Sequence, residues 1–162
     1  MHDLNELAQR LAAVLLQRHL TLAVAESCTG GWVAKVLTDL PGSSQWFDRG
    51  FVTYSNAAKQ DMLGVSAATL DADGAVSEAC VREMAAGVLR HSPADQALAI
   101  SGIAGPGGAV PGKPVGTVCF AWAGRTGQLQ VETRQFAGDR DVVRRQSVAH
   151  ALQGLIDVSE SA

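Results

Sequence analysis

The sequence predicts an α/β protein, a three-layer α/β/α fold around a mixed central sheet. Short apolar, β-branched segments alternate with amphipathic segments of helical period, as expected when helices cover both faces of a sheet. Late in the chain, Gly124-Arg125-Thr126-Gly127 separates two strand-like segments, which indicates a β-hairpin. A hairpin joins antiparallel strands, whereas a helical crossover joins parallel ones, so the sheet is expected to contain both.

In the first half of the chain, helix and strand signals alternate. A leucine-rich stripe predicts a helix over 3–18, and a buried strand follows over 20–24. Apolar residues at helical spacing predict a second helix from Trp32 to about Asp39, which ends before a helix-breaking Pro-Gly pair. An aromatic and β-branched run predicts a strand over 46–54.

The remaining elements complete the pattern. Ser55 or Asn56 is expected to cap a short helix over 57–63, and another short helix is expected over 66–70, followed by a turn at 71–74. Ser77 is expected to cap the next helix, which Pro93 ends. Later segments predict strands over 96–101, 115–123 and 129–133 and a final helix over 139–156. Since no repeat or linker interrupts the chain, residues 1–162 are expected to form a single domain.

Composition and charge argue against several classes of function. The chain has 162 residues, of which 47% are hydrophobic, with a net charge of −3, so a nucleic-acid or membrane-surface role is not expected. The amino terminus lacks a long apolar segment, which predicts no signal peptide or membrane span and a cytoplasmic location. Metal binding is not expected, because the cysteines and histidines lack the spacing of metal ligands: Cys28, Cys80, Cys119, His2, His19, His91 and His150.

The segment 25–31, Ala-Glu-Ser-Cys-Thr-Gly-Gly, lies between a predicted strand and a predicted helix. Backbone N–H groups at such a junction favour anions and developing oxyanions. Ser27 is a candidate nucleophile, and Cys28 is another, because a thiolate at a helix N-terminus has a lowered pKa. An ordinary Ser/Thr helix cap, with Gly30 and Gly31 present for close packing, explains the same pattern.

Lys59 is expected in the first turn of the helix that follows the second strand. The positive end of the helix dipole disfavours an ammonium there, which lowers the lysine pKa and suits a general base. A solvated lysine on a surface turn is the alternative interpretation.

Two later segments suit an anion. The glycine-rich loop over 101–108 can bring backbone N–H groups close to a ligand. A P-loop is rejected, because Pro114 stands where that motif needs Ser or Thr. Arginines near the start of the last helix lie at the positive end of its dipole, and a bound phosphate would offset this unfavourable interaction. Pairing with Asp139 and Asp141 is the alternative interpretation. These arginines are Arg140, Arg144 and Arg145.

Three ordered segments, 25–31, 50–59 and 101–108, resemble the CinA C-terminal domain family, and the resemblance continues through 113–118 and 138–140. It covers the chain from about residue 4 to 157. It implies the deamidation of nicotinamide mononucleotide to nicotinic acid mononucleotide and ammonia, in the salvage of pyridine nucleotides such as NAD. The resemblance implies no cofactor, and it makes a homo-oligomer the expected state.

The resemblance also implies residue roles. Ser27 is the expected nucleophile and Lys59 its base, with Tyr54 and Ser101 as supporting polar residues. Ser101 stands where many relatives have Thr. The expected substrate-binding residues are Cys28, Thr29, Gly30, Gly105, Gly107, Gly108, Arg140, Arg144 and Arg145. Two alternatives stay open at this point: catalysis by the Cys28 thiolate, and a catalytically silent nucleotide-binding module.

Overall fold

A computed structural model describes residues 3–162, with six α-helices and five strands in this range. In chain order they are α1 (Leu4–Arg18), β1 (Leu22–Glu26), α2 (Trp32–Thr38), β2 (Phe47–Val52), α3 (Asn56–Leu63), α4 (Ala67–Asp73), α5 (Glu78–Arg90), β3 (Gln96–Gly102), β4 (Thr117–Gly124), β5 (Leu129–Gln135) and α6 (Arg140–Glu160). A short 3₁₀ turn, Ser43–Gln45, precedes β2.

The five strands form one sheet in the order β2-β1-β3-β4-β5. Strands β2, β1 and β3 are parallel, whereas β4 runs antiparallel to β3 and β5 antiparallel to β4. The predicted mixed sheet and its hairpin are therefore confirmed. Because the three parallel strands point the same way, their carboxyl ends share one edge, which is where ligands bind in sheets of this type.

The two faces of the sheet carry side chains of different size. On the face covered by α1, α2 and α6, the central strands present large residues such as Leu98, Phe120 and Trp122. On the face covered by α5, the same strands present mostly alanine, as at Ala97 and Ala121. Helices on both faces give the predicted three layers, and the small residues let α5 approach the sheet closely.

One predicted boundary is wrong. The expected turn at 71–74 is mostly helix, because Ser66 caps α4 through a hydrogen bond from Thr69 N–H to Ser66 Oγ (3.1 Å), and the helix continues to Asp73. It ends at Gly74, whose φ of +78° favours glycine. Among the described residues, no helix is both long and apolar enough to cross a membrane.

Candidate active site

Ser27 is the first residue after β1, at the edge where the parallel strands end. Its N–H donates to the Ile100 carbonyl of β3 (3.1 Å), so the main chain is anchored to the sheet. On the other side of β1, the Thr53 N–H donates to the carbonyl of Glu26 (2.8 Å). The main chain at Ser27 is thus held between the ends of β2 and β3.

Lys59 places its Nζ 3.1 Å from Ser27 Oγ. Ser55 caps α3 through a hydrogen bond from the Ala58 N–H to Ser55 Oγ (3.0 Å), confirming the predicted cap, and this fixes the helix turn that carries Lys59. The side chain is only 1% exposed, and Nζ also contacts the carbonyl oxygens of Thr53 (2.9 Å) and Tyr54 (3.2 Å).

Burial lowers the pKa of Lys59 below its ordinary value of 10.5. The sequence predicted this direction from the helix dipole, but desolvation of the ammonium is the main cause. A neutral amine has two N–H donors and one lone pair. In the structure Nζ donates to the carbonyls of Thr53 and Tyr54 and to Ser27 Oγ, and the Ser27 hydroxyl lies 3.5 Å from the Tyr54 carbonyl. In the neutral amine the two N–H groups are sufficient for the two carbonyls, which leaves the lone pair for the Ser27 proton. The geometry therefore suits Lys59 as a base for Ser27.

Glu26 organises the turn that follows Ser27, a role that the sequence analysis missed. Its fully buried carboxylate accepts hydrogen bonds from Thr29 Oγ1 (2.6 Å), Val33 N–H (2.9 Å) and Ala34 N–H (3.0 Å). It thereby caps α2 from outside the usual N-cap position, which Gly31 occupies. The only sequence signal is an acidic residue six positions before the start of α2. The Thr29 hydroxyl is engaged by this carboxylate.

The predicted lowering of the Cys28 pKa is wrong. The thiol is buried in the core beneath α2, and burial raises its pKa to about 12. The side chain packs so closely on β3 that a Cβ at Gly102 would lie 3.1 Å from Sγ. A thiol that stays protonated at neutral pH is a poor nucleophile, so the geometry favours Ser27.

The three predicted arginines of α6 have different surroundings. Arg140 lies at the site, where it donates to the Gly105 carbonyl (2.7 Å) and contacts Tyr54 Oη (3.4 Å). Arg144 instead donates to two carbonyls of the turn that follows Ser27. Arg145 lines a separate, largely apolar concavity of about 460 Å³ beside Phe136, away from Ser27.

The cleft at Ser27 has a volume of about 230 Å³. It brings together all four predicted catalytic residues and adds several residues that the sequence did not single out. Its lining comprises Ser27, Cys28, Tyr54, Asn56, Lys59, Ala75, Val76, Ser101, Gly102, Ala104 and Arg140. Asn56, Ala75 and Val76 were not anticipated as site residues, because nothing in their local pattern separates them from ordinary positions beside a helix cap. Tyr54 is 63% exposed, and its backbone carbonyl rather than its phenol contacts Lys59.

The predicted glycines of the site differ in their distance from the cleft. Gly105 reaches the site through its carbonyl bond to Arg140, whereas Gly107 and Gly108 are exposed and do not line the cleft. Gly30 approaches the guanidinium of Arg144, since a Cβ there would lie 3.4 Å from Nη2. Within residues 3–162, no three His, Cys, Asp or Glu side chains form a group that could hold a metal ion, and His2 lies outside the described residues.

A family model of the CinA C-terminal domain matches residues 4–159. The chain belongs to the CinA C-terminal domain family. This CinA-family chain is 56% identical over 153 residues to a protein of Escherichia coli strain K12 named nicotinamide-nucleotide amidohydrolase PncC, covering 94% of this chain and 93% of that one. It is 48% identical over 158 residues to the protein of the same name from Pseudomonas putida, covering 98% of each chain.

Solved structures agree with this family assignment. A crystal structure of a CinA superfamily protein from Klebsiella pneumoniae matches with a TM-score of 0.96 at 43% identity, over 99% of this chain and 100% of that one. Longer CinA-family proteins also exist: a putative competence-damage inducible protein of Symbiobacterium thermophilum is 53% identical, but the match covers 37% of its length. The predicted family and the fold that it implies are confirmed.

Proposed function

We propose that this CinA-family protein hydrolyses the carboxamide of nicotinamide mononucleotide to nicotinic acid mononucleotide and ammonia, as a step in NAD salvage. At the level of class the chain is an amidohydrolase, as are the relatives that match it over nearly their whole length. One observation carries the proposal for the site, namely the buried Nζ of Lys59 at 3.1 Å from Ser27 Oγ.

In the proposed first step, Ser27 Oγ attacks the carboxamide carbon while its proton passes to neutral Lys59. In this step the Thr53 and Tyr54 carbonyls hold the two N–H groups of the neutral amine, and its lone pair accepts the proton of the hydroxyl 3.1 Å away. The carbon–nitrogen bond then breaks, and the Lys59 ammonium returns the proton to the leaving nitrogen, which departs as ammonia. The product of this step is an ester between Ser27 and the nicotinoyl group.

The developing oxyanion needs hydrogen-bond donors close to Ser27. The N–H groups of Ser27 and Gly30 already donate to the carbonyls of Ile100 and Ser27, at 3.1 and 3.0 Å. We therefore assign the N–H group of Cys28, which lines the cleft, to the oxyanion. Its position just before α2 adds the favourable end of the helix dipole.

In the second step, water attacks the ester carbon and gives its proton to Lys59. The carbon–oxygen bond to Ser27 breaks, the Lys59 proton returns to Ser27 Oγ, and the product leaves as a carboxylic acid that releases its proton to water to give the carboxylate. Every proton transfer between Ser27, water and the leaving nitrogen passes through Lys59, so the proposal uses no metal and no cofactor.

The shape of the cleft supports a pyridine carboxamide at Ser27 with the rest of the nucleotide toward solvent. A volume of about 230 Å³ is below the usual 300–1,000 Å³ of a pocket that encloses a whole ligand. Ala75 and Val76 offer apolar surface to the ring, and Ser101 offers a hydroxyl. Arg140 at the cleft is the proposed phosphate ligand, because a guanidinium binds phosphate through paired hydrogen bonds.

The test is to incubate the purified protein with nicotinamide mononucleotide, without added metal, and to measure ammonia and nicotinic acid mononucleotide together. We expect equal amounts of both products. Ser27→Ala is expected to reduce the rate by at least about 10³-fold, whereas Cys28→Ala, the matched control at the neighbouring position, is expected to keep at least about a third of it.

Two results would contradict the proposal. Activity that survives in Ser27→Ala but disappears in Cys28→Ala would assign the nucleophile to the thiol. A folded wild-type protein that binds the nucleotide in calorimetry and releases no ammonia would be a nucleotide-binding module.

A further inference from the structure

Arg144 connects α6 to the turn beside the proposed nucleophile. Its Nε donates to the Cys28 carbonyl (3.0 Å) and its Nη2 to the Thr29 carbonyl (3.2 Å). The carbon at the centre of the guanidinium lies 5.5 Å from the centre of the Trp32 ring, at the start of α2. One planar cation is thus fixed by both the turn and the helix that follows it.

These contacts argue against the phosphate role that the sequence predicted for Arg144. The side chain is half-buried and does not line the cleft at Ser27, whereas Arg140, one helical turn earlier, does. Two edges of its guanidinium are already occupied by backbone carbonyls. The two arginines therefore differ in their place relative to the cleft, since Arg144 is directed at the backbone of the turn and Arg140 lines the cleft.

The geometry of the peptide bond gives these hydrogen bonds a consequence on the other side of the chain. The peptide between Cys28 and Thr29 is planar and trans, so its C=O and N–H point in opposite directions. Because Arg144 holds the Cys28 carbonyl, the Thr29 N–H must point away from the guanidinium. Gly30 N–H, in the next peptide, donates to the Ser27 carbonyl (3.0 Å), which fixes the turn further.

The charge of Arg144 also acts on this peptide. A hydrogen bond from a cation to a carbonyl polarises the amide, which strengthens its N–H as a donor. Burial increases the effect, because less water screens the interaction. Glu26 cannot supply the same influence, since it binds the side chain of Thr29 and N–H groups of α2.

We propose that Arg144 is a positioning residue for amide hydrolysis, which holds and polarises the Cys28–Thr29 peptide and thereby fixes the turn that presents Ser27 and the Cys28 N–H to the cleft. This inference rests on the proposed function of the site. It assigns Arg144 to the transition state rather than to substrate binding, and the two roles give different kinetics.

The test compares steady-state kinetics of Arg144→Ala, Arg144→Lys and the wild type. Arg144→Ala is expected to lower kcat by about 10- to 100-fold with KM within about twofold, because a misplaced oxyanion donor affects only the transition state. Arg144→Lys should fall between them, since an ammonium can hold one carbonyl but cannot form the planar fork. Arg10→Ala, which removes an exposed arginine on α1, is the charge-matched control and should behave as wild type.

A binding measurement separates this role from phosphate binding. In calorimetry, Ser27→Ala and the double variant Ser27→Ala/Arg144→Ala should bind nicotinamide mononucleotide with the same Kd within about twofold. Thermal unfolding of each variant establishes that it is folded at the assay temperature, and Arg144→Lys carries the test if Arg144→Ala does not fold.

Three outcomes would overturn the inference. An unchanged kcat in Arg144→Ala, or in Arg144→Lys where the alanine variant does not fold, would show that the peptide keeps its position without the arginine. A raised KM together with a weaker Kd in the double variant would return Arg144 to substrate binding. Absence of ammonia release from both the wild type and Arg10→Ala would instead refute the proposed function, and the inference would fall with it.

Discussion

Two buried ionisable side chains flank Ser27, and their surroundings differ. Glu26, on the side of α2, receives three hydrogen bonds, two of them from backbone N–H groups at the start of the helix. Lys59, on the side of α3, contacts two carbonyls and the Ser27 hydroxyl, and burial lowers its pKa. The N–H groups at the start of α2 compensate the negative charge of the Glu26 carboxylate, which suits a structural role. The desolvated amine of Lys59 loses its proton readily, which suits catalysis.

Replacing Lys59 tests the reactive half of this comparison and should give the largest effect. Lys59→Met keeps the length and apolar stem of the side chain but removes the amine. We expect the rate of ammonia release to fall by about 10³-fold, because general-base catalysis typically contributes 10²- to 10⁴-fold. The folded state should persist, since methionine fills the space of the lysine stem and removes the cost of burying a polar amine, which offsets the loss of two hydrogen bonds to carbonyls.

The matched control is Lys35→Met on the exposed surface of α2, where the ammonium pairs with Asp39 in solvent. This variant should keep the wild-type rate. A Lys59→Met variant that is folded and retains more than about a tenth of the wild-type rate would remove Lys59 from the mechanism.

The sequence predicts the reactive side of the site better than the structural side. Ser27, Lys59 and Tyr54 belong to segments that resemble a known family, and the strand–turn–helix pattern places all three at one sheet edge. The cause of the lowered Lys59 pKa could not be predicted from the sequence, because the burial of this side chain depends on α5 and on strands that are distant in sequence. The Cys28 prediction failed for the same reason, since its thiol is covered by the core rather than exposed at the helix end.

The roles of Glu26 and of the three arginines could not be predicted from the local sequence pattern. An acidic residue at the end of a strand predicts no particular partner, and the distance to α2 becomes visible only when the turn is folded. Likewise, Arg140, Arg144 and Arg145 look equivalent in the sequence, yet the phase of α6 directs them to the cleft, to the turn and to a separate concavity. Their division follows from how the whole helix packs.

Replacing Glu26 tests the structural half of the comparison. Glu26→Gln preserves the shape of the side chain but replaces one acceptor oxygen by an NH₂ group that faces backbone donors. We expect the free energy of unfolding to fall by about 1–3 kcal/mol, the usual cost of leaving a buried donor unsatisfied. Denaturant unfolding at pH 7 measures this change.

The exposed Glu6→Gln of α1 serves as the matched control and should change stability by less than about 0.5 kcal/mol. At a temperature where both variants are folded, Glu26→Gln should keep ammonia release within about tenfold of wild type. Loss of activity as large as in Lys59→Met, without loss of stability, would show that Glu26 takes part in the chemistry.

The pH dependence of stability is a further test of the difference between Lys59 and Glu26, and it should give the smallest effect. The unfolded chain holds the Lys59 proton up to about pH 10.5, whereas the folded protein releases it at a lower pH. Between the lowered pKa and 10.5 the unfolded state binds more protons, so the free energy of unfolding should rise with pH and level off above 10.5. The slope from one group cannot exceed about 1.4 kcal/mol per pH unit. Subtracting the same titration of Lys59→Met isolates this contribution, and a difference that stays flat or falls with pH would mean that the folded protein keeps Lys59 charged.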